Sequence, residues 1–274
     1  MQLENSNIAE LMYILRTNNI AIYGAGYVAA RFYQALKEHG LSGSVFSFVT
    51  TSCISSEMEG VPIVTIDDLK FENQTVICVA VHESIKDEII SNLVNKGFTN
   101  YIWIYPYLYI LMLGLPINKN IKVPLYKIWN AVRDDYSMAI RYLAIDNYYA
   151  KNTNGYELYK RYFSIFNSNK TSEKRLMQFI GLIKSWDDKG YDINKCSAVL
   201  EDYKIFDGAH RIAVASYFNQ GFVMCDIYPL KKSITDIHNQ AAVFTKQSAI
   251  DAGFEPEFIA LLDATNRRIE EQYK

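Results

Sequence analysis

Short apolar runs alternate with amphipathic stretches along the N-terminal part of this chain. Asn19–Tyr23 (NIAIY) is a compact apolar run ending in Gly24-Ala25-Gly26, and from Tyr27 to about His39 apolar residues recur at helical spacing. Gly40 then stands where a helix commonly ends in the left-handed conformation. Ser44–Val49 (SVFSFV), the Val/Ile-rich run from Gly60 to Val64, Thr75–Val81 (TVICVAV) and Tyr101–Ile104 read as further short strands. A helical pattern at Glu83–Lys96, stopped by Gly97, separates the last two. Residues 1–15 pattern as an amphipathic helix, and a short helix is expected to begin at Asp67-Asp68-Leu69. Strands apolar on both faces and separated by helices predict a doubly wound parallel sheet.

The pattern changes near Pro124. Leu125–Tyr149 and Gly155–Phe166 read as helices rich in aromatics, with the polar turn Lys151–Gly155 between them. Leu176–Lys189 is a further helix with Phe179, Ile180, Ile183 and Trp186 on one stripe. Then come strand patterns at Ser197–Glu201 and Tyr203–Phe206, a helix at Ile212–Tyr217, a strand at Phe222–Tyr228 and a mostly helical tail from Ser233 to Lys274, broken around Gly253–Pro256. The chain therefore reads as α/β, with a parallel-sheet domain over residues 1–120 and a helix-rich α+β domain over 121–274.

Composition removes several classes of function. Half of the 274 residues are hydrophobic and the formal net charge is −2, which excludes a disordered chain and the basic surplus of a dedicated nucleic-acid binder. The longest apolar stretch, Tyr101–Ile117, is interrupted by Pro106, Gly114 and Pro116 and is shorter than the roughly 20 residues a bilayer needs, so no membrane span is expected. The opening MQLENSNIAEL lacks the basic-then-apolar build of a secretory leader. Cys53, Cys78, Cys196 and Cys225 form no CxxC pair, which predicts reduced thiols in a cytoplasmic protein without a zinc site.

Two motifs carry chemistry. The first is Gly24-x-Gly26-x-x-Ala29 between a strand and a helix, where glycines let the turn approach a diphosphate at a helix N-terminus. A nicotinamide dinucleotide site also wants a carboxylate after the second strand, and Val49-Thr50-Thr51-Ser52-Cys53 has none. Gly24 and Gly26 thus fit either a nucleotide or sugar-nucleotide ligand or simply a tight turn, and an NAD(P)-dependent oxidoreductase is the weaker reading. His82, after the Thr75–Val81 run, would lie at the ligand-facing edge of such a sheet, as a catalyst or as a helix-entry residue.

The second motif is Asp207-Gly208-Ala209-His210-Arg211, expected as a strand end, a sharp turn and a helix start. A helix start offers unpaired N–H groups, Arg211 a planar fork for phosphate oxygens, and His210 a second donor that can carry charge. Gly208, Ala209, His210 and Arg211 would line a cradle for a polyanion, with Asp207 holding the turn, orienting His210 or binding Mg2+. The same spacing also fits a structural cap, with Asp207 as N-cap and Arg211 solvated.

Resemblances bear on both halves. IAIYGAG, VFSFV, GVPIVTIDDL and TVICVAVHESI, within residues 15–105, resemble the small Rossmann-like domains of sugar acyltransferases and other glycan-locus proteins. The block from Phe179 to Tyr228 (FIGLIKSW, GYD, SAVLEDYKIF, DGAHR, IAVASYF, FVMCDIY) resembles the ParB/sulfiredoxin-like fold. Its free-serine kinases carry DGHHR, which Asp207–Arg211 matches except at Ala209. That resemblance implies nucleotide phosphates at the turn, as in ATP-using sulfiredoxins and CTP-using ParB proteins. The chain has neither the GGCHR-type cysteine of sulfiredoxins nor a helix-turn-helix for DNA. Gly155–Arg161 (GYELYKR) resembles a stretch of DGxHR-containing proteins of bacterial surface-polysaccharide loci.

These readings combine into an expectation. The chain would be a nucleotide-dependent phosphotransferase using ATP or CTP with Mg2+ on a hydroxyl of a sugar or surface-glycan precursor. Asp207 and His210 would serve catalysis and Glu157 or Glu201 would activate the acceptor, with Lys160 and Arg161 near the phosphates. The alternative is a non-catalytic nucleotide- or sugar-nucleotide-binding protein of a polysaccharide assembly system. Its partners would be small molecules, with self-association into a homo-oligomer left open.

Overall fold

The computed structural model describes residues 8–52, 56–70, 74–166, 169–230 and 243–273, with only the backbone for Ser84, Asn169 and Lys170. The chain divides into two compact units, Met1–Gly114 and Leu115–Lys274.

The first unit is a mixed α/β layer structure. Its strands are β1 (Asn19–Tyr23), β2 (Val45–Thr50), β3 (Glu57–Met58), β4 (Val61–Thr65), β5 (Thr75–Val79) and β6 (Tyr101–Trp103), arranged β3-β4-β2-β1-β5-β6. All neighbouring pairs are parallel except β3 with β4. Every residue of β5 is buried, as expected for a strand covered on both faces. The helices are α1 (Ile8–Thr17), α2 (Tyr27–Glu38), α3 (Glu83–Asn95) and α4 (Leu108–Leu113). α2 buries Ala29, Phe32, Tyr33, Ala35 and Leu36, the stripe its spacing predicts. Strand order reverses at β1, which pairs with β2 on one side and β5 on the other. The carboxyl ends of β1 and β5 therefore meet where a ligand crevice opens in sheets of this kind.

The second unit packs helices on a four-stranded sheet of order β7-β10-β8-β9. These are β7 (Asn118–Pro124), β8 (Ser197–Leu200), β9 (Ile205–Asp207) and β10 (Phe222–Tyr228), with β10 parallel to β8 and the other pairs antiparallel. The helices are α5 (Leu125–Val132), α6 (Tyr136–Tyr148), α7 (Gly155–Ser164), α8 (Asn169–Lys189), α9 (Ala209–Tyr217), α10 (Lys246–Asp251) and α11 (Pro256–Glu271). One core joins α6, α7, α8 and α11 through Ile140, Leu143, Leu158, Phe179, Ile183 and Leu262. A second joins α5, α9 and the sheet through Ile128, Trp129, Ile212, Val223 and Cys225.

Several expectations are corrected. β7 has only Ile121 and Val123 as an apolar alternation, among lysines and asparagines and closed by Pro124, as suits an edge strand. Its pairing with β10, Val123 opposite Val223 and Ile121 opposite Cys225, makes it a strand. The expected division at 120/121 falls inside it. The helix expected over Leu125–Tyr149 is two helices, because Asp135 caps α6 by accepting from Ser137 N at 2.8 Å. Asp67 and Asp68 lie in a turn, in which Thr65 O accepts from Asp68 N and Thr65 Oγ1 donates to the Asp68 carboxylate, so Leu69 opens no helix within the described residues. Residues 1–7, Cys53 and the expected tail over 233–242 lie outside the described residues. Among those described, no helix is long and apolar enough to cross a membrane.

The α6–α7 crossing rests on the polar turn before α7. Asn152 Oδ1 accepts from the amides of Asn154 and Gly155, Asn152 Nδ2 donates to Leu143 O, and Asn147 Oδ1 accepts from Tyr156 N. Gly155 itself touches α6 so closely that a Cβ would collide with the Leu143 carbonyl. Gly155→Ala is expected to destabilise the protein by about 3 kcal/mol, the upper end of overpacking costs. Urea unfolding measures it, and wild-type stability in this variant would contradict the described crossing.

Candidate functional site

The Asp207–Arg211 segment forms the expected strand–turn–helix. Asp207 ends β9, Gly208 takes the left-handed conformation (φ +90°), and α9 begins at Ala209. The glycine is required twice over, by that φ and by space, since a Cβ would stand 2.8 Å from Ser197 Cβ and 3.0 Å from Arg211 Nη2. Arg211 folds back onto the start of β8, where its Nη2 donates to Cys196 O at 2.7 Å, and its buried Nε has no partner.

His210 points the other way, into α7 and α8. Its Nε2 lies 2.6 Å from the Tyr159 hydroxyl, either of which can be the donor, and its half-buried ring stacks on Phe163 and packs against Phe179. Burial pushes the His210 pKa well below its ordinary value, and the positive charges of Arg141, Arg175 and Arg211 push it further the same way. The imidazole is therefore neutral near pH 7, which corrects the expectation of a cationic donor. Burial also raises the pKa of the fully buried Tyr159 phenol, against the opposing pull of Arg141 and Arg175.

Arg141 and Arg175 are the unexpected part of the site. Arg141 stands in the middle of α6 with only 5% of its surface exposed; Nη1 donates to Ser137 O at 2.7 Å and Nε has no partner. Its guanidinium carbon lies 5.6 Å from the Phe163 ring centre, and that of Arg175, on α8, lies 5.2 Å from the same ring. Among the described residues no salt bridge involves Arg141, Arg175 or Arg211. Asp135 feels the Arg141 charge, but its carboxylate accepts from the amides of Ser137 and Phe244. Arg141 and Arg175 thus bring two guanidinium groups to the Phe163 ring on which His210 stacks.

Sequence reasoning missed Arg141, Arg175, Tyr159, Phe163 and Phe179 as members of this site. One signal was present: Arg141 is the lone charge in Ser137–Ile145 (SMAIRYLAI), and an arginine in an otherwise apolar helix interior needs a partner. Arg175 is one cation of several on α8 and carried no such signal.

The other sequence candidates stand elsewhere. Glu157 is exposed on α7, two residues from Tyr159 and so about 200° around the helix from it. Glu201 is exposed in the β8–β9 turn and accepts from Leu230 N at 3.0 Å. Lys160 is exposed, and Arg161 pairs with Glu255 and Gly253 O. Among the described residues no three His, Cys, Asp or Glu side chains are grouped as a metal site. Asp207 alone would have to serve a cation together with oxygens of the ligand.

In the first unit Gly24 has φ +126° and a Cβ there would stand 2.8 Å from Ala80 O, so the glycine serves the β1–β5 junction directly. Gly26 precedes α2 with extended backbone, makes no side-chain cap, and a Cβ would meet nothing within 4 Å. His82 follows β5 and packs edge-on against Tyr105 with ring centres 5.0 Å apart.

Two outcomes test this geometry. Gly208→Ala is expected to cost about 1–3 kcal/mol in urea unfolding, because it forces a Cβ into a left-handed residue and against Arg211. His210 supplies the second. Its pKa is depressed in the folded state and ordinary, about 6.5, in the unfolded state, so the unfolded chain takes up the extra proton as pH falls. That contribution to stability is present above the unfolded value and is lost below it, by about 1.4 kcal/mol from about pH 7.5 to about pH 5.5. Unfolding at both pH values should show this loss in the wild type and its absence in His210→Gln. Equal losses in the two proteins would mean that His210 is not held neutral. Comparison with known proteins finds no family model, no curated protein and no solved structure that matches this chain, so the site is read from its own geometry.

Proposed function

We propose that the second unit is a nucleotide-dependent phosphotransferase domain of the ParB/sulfiredoxin-like type, with the nucleotide phosphates of ATP or CTP held at the start of α9. The observation that carries this reading is the pair Arg141 and Arg175 on the Phe163 ring beside a neutral His210, neither in a salt bridge among the described residues, with Arg211 next to His210 in the chain. Arg141, Arg175 and Arg211 would neutralise the phosphate oxygens, and the backbone amides at the start of α9 would bond to them. Such transfer depends chiefly on positioning and charge neutralisation.

In the proposed step the acceptor hydroxyl oxygen forms a bond to the terminal phosphorus, and the bond from that phosphorus to the nucleoside diphosphate oxygen breaks. The acceptor proton passes to His210, the one neutral base in the cluster. Glu157 and Glu201 give way to His210 in this role because neither shares its face. Mg2+, where used, would meet Asp207 and phosphate oxygens, a donor set sufficient for an ion that keeps several waters. The first unit, proposed as Rossmann-like, would hold a nucleotide-linked or sugar ligand at the Gly24–Gly26 turn.

The outward position of Glu157 and Glu201 also favours a second reading, a sensor that binds a nucleotide without turnover. Labelled ATP and CTP decide between them when transfer to a panel of sugars is measured beside a thermal-shift titration. Nucleotide is expected to raise the melting temperature of the wild type. Arg141→Met should lose at least about 10-fold in affinity, equivalent to about 1.4 kcal/mol, while remaining folded, because an apolar replacement of a buried charge is often neutral for stability. A thermal shift without transfer supports the sensor. No shift with ATP, CTP or inorganic phosphate removes both readings.

A further inference from the structure

The bond between Tyr159 and His210 decides more than the neutrality of the imidazole. A neutral ring has one N–H and one lone pair, and the nitrogen that keeps the proton determines which of the two can act as a base. His210 stands in the first turn of α9, and its Nε2 lies 2.6 Å from the Tyr159 hydroxyl. Nδ1 has no hydrogen-bond partner among the described residues, and it is not one of the polar atoms sealed from solvent without one. One ring nitrogen is thus engaged by the protein and the other is left open to a ligand.

Tyr159 is held firmly enough to impose a choice. It is fully buried on α7, its ring stacks on Phe179 with an interplanar angle of 12°, and it packs against Phe163 with ring centres 4.6 Å apart. Among the described residues its hydroxyl has two hydrogen-bond partners, His210 Nε2 and the Arg175 carbonyl oxygen at 3.4 Å. A phenol has a single proton to donate, and a carbonyl oxygen only accepts. The bond to Arg175 O therefore uses that proton, and the bond to His210 runs the other way, from Nε2–H to the phenol oxygen.

The opposite tautomer satisfies less. It gives the phenol proton to Nε2 and forfeits the Arg175 bond. It also turns an Nδ1–H outward where the positive charges of Arg141, Arg175 and Arg211 already act on the ring. A lone pair beside positive charge is favoured over the positive end of an N–H dipole.

We propose that Tyr159 is a positioning residue that holds His210 as its Nε2–H tautomer, so that Nδ1 is the nitrogen that takes the acceptor proton. The role of Nδ1 rests on the phosphotransfer reading; the tautomer does not. In that step the acceptor O–H proton goes to the Nδ1 lone pair and the electrons of the O–H bond form the new bond to phosphorus. Those of the broken phosphorus–oxygen bond leave with the nucleoside diphosphate. The resulting imidazolium keeps its Nε2–H on the phenol oxygen, so no proton has to move on the buried side.

Ring nitrogen resonances of the full chain, 15N-labelled on its four histidines, test this without nucleotide at about pH 7.5, about one unit above the ordinary histidine pKa. His210→Gln assigns the His210 signals, and should that variant not fold, His39→Gln, His82→Gln and His238→Gln assign them by elimination. The wild type is expected to show a protonated Nε2, an unprotonated Nδ1 and a nuclear Overhauser contact from Hε2 to the Tyr159 ring. In Tyr159→Phe the two nitrogen shifts should move toward each other as the tautomers mix. In transfer from ATP or CTP the same variant should lose about 10-fold or more in kcat, with nucleotide affinity within about 2-fold of the wild type. A protonated Nδ1 in the wild type overturns the proposal, as does a Tyr159→Phe protein with wild-type nitrogen shifts or wild-type kcat. Should Tyr159→Phe not fold, the Overhauser contact decides, and its absence overturns the proposal. A wild type that binds no nucleotide removes the phosphotransfer reading, and the tautomer is then judged from the resonances alone.

Discussion

Positive charge held out of water without a salt-bridged negative one is the constraint around which the second unit is arranged. A buried and unpaired guanidinium costs on the order of several kcal/mol, and a second and third nearby add repulsion. The fold offsets this with partners that carry no opposite charge. Arg141 bonds to the Ser137 carbonyl of its own helix and faces the ring of Phe163, whose π cloud also receives Arg175, and Arg211 bonds to the Cys196 carbonyl. His210 stacks on that same Phe163 ring, and burial first, then the nearby guanidinium charges, keep it neutral. Residues from α6, α7, α8 and α9 thus depend on one another, and a ligand bringing negative charge would relieve all of them together.

The same economy of space governs both units. Gly155 lets α7 lie against the backbone of α6, Gly208 lets the β9–α9 turn pass Ser197, and Gly24 lets β1 leave the sheet beside Ala80. At each of these positions a Cβ would meet backbone or a packed side chain. Gly26, by contrast, has open space before it, which is the local difference between a glycine needed for packing and one that leaves a helix start accessible.

Much of the local structure was legible because it depends on neighbours in the chain. Asn19–Tyr23 and Phe222–Tyr228 read as strands from their own apolar runs, α2 from its buried stripe, and the turn at Gly208 from a glycine between an aspartate and a helix former. What failed were elements whose stability is non-local. β7 is a strand because β10 supplies its hydrogen bonds, and its own residues are mostly polar. The break before α6 depends on Asp135 turning to cap it, a choice the surrounding helical periodicity masked.

The candidate site divides along the same line. The sequence by itself determined Gly208, His210 and Arg211, because a strand, a left-handed glycine and a helix start are fixed by short-range backbone sterics and capping. It also determined that the residue after His210 would carry a guanidinium. Only the tertiary structure decided which way each side chain faces and what stands opposite it. It brought Arg141, Tyr159 and Arg175 from three other helices to His210 and turned Glu157 outward. The reason is that charge, burial and protonation are set by distances in space, and residues 69 positions apart in the chain, such as Arg141 and His210, acquire those distances only when the helices pack.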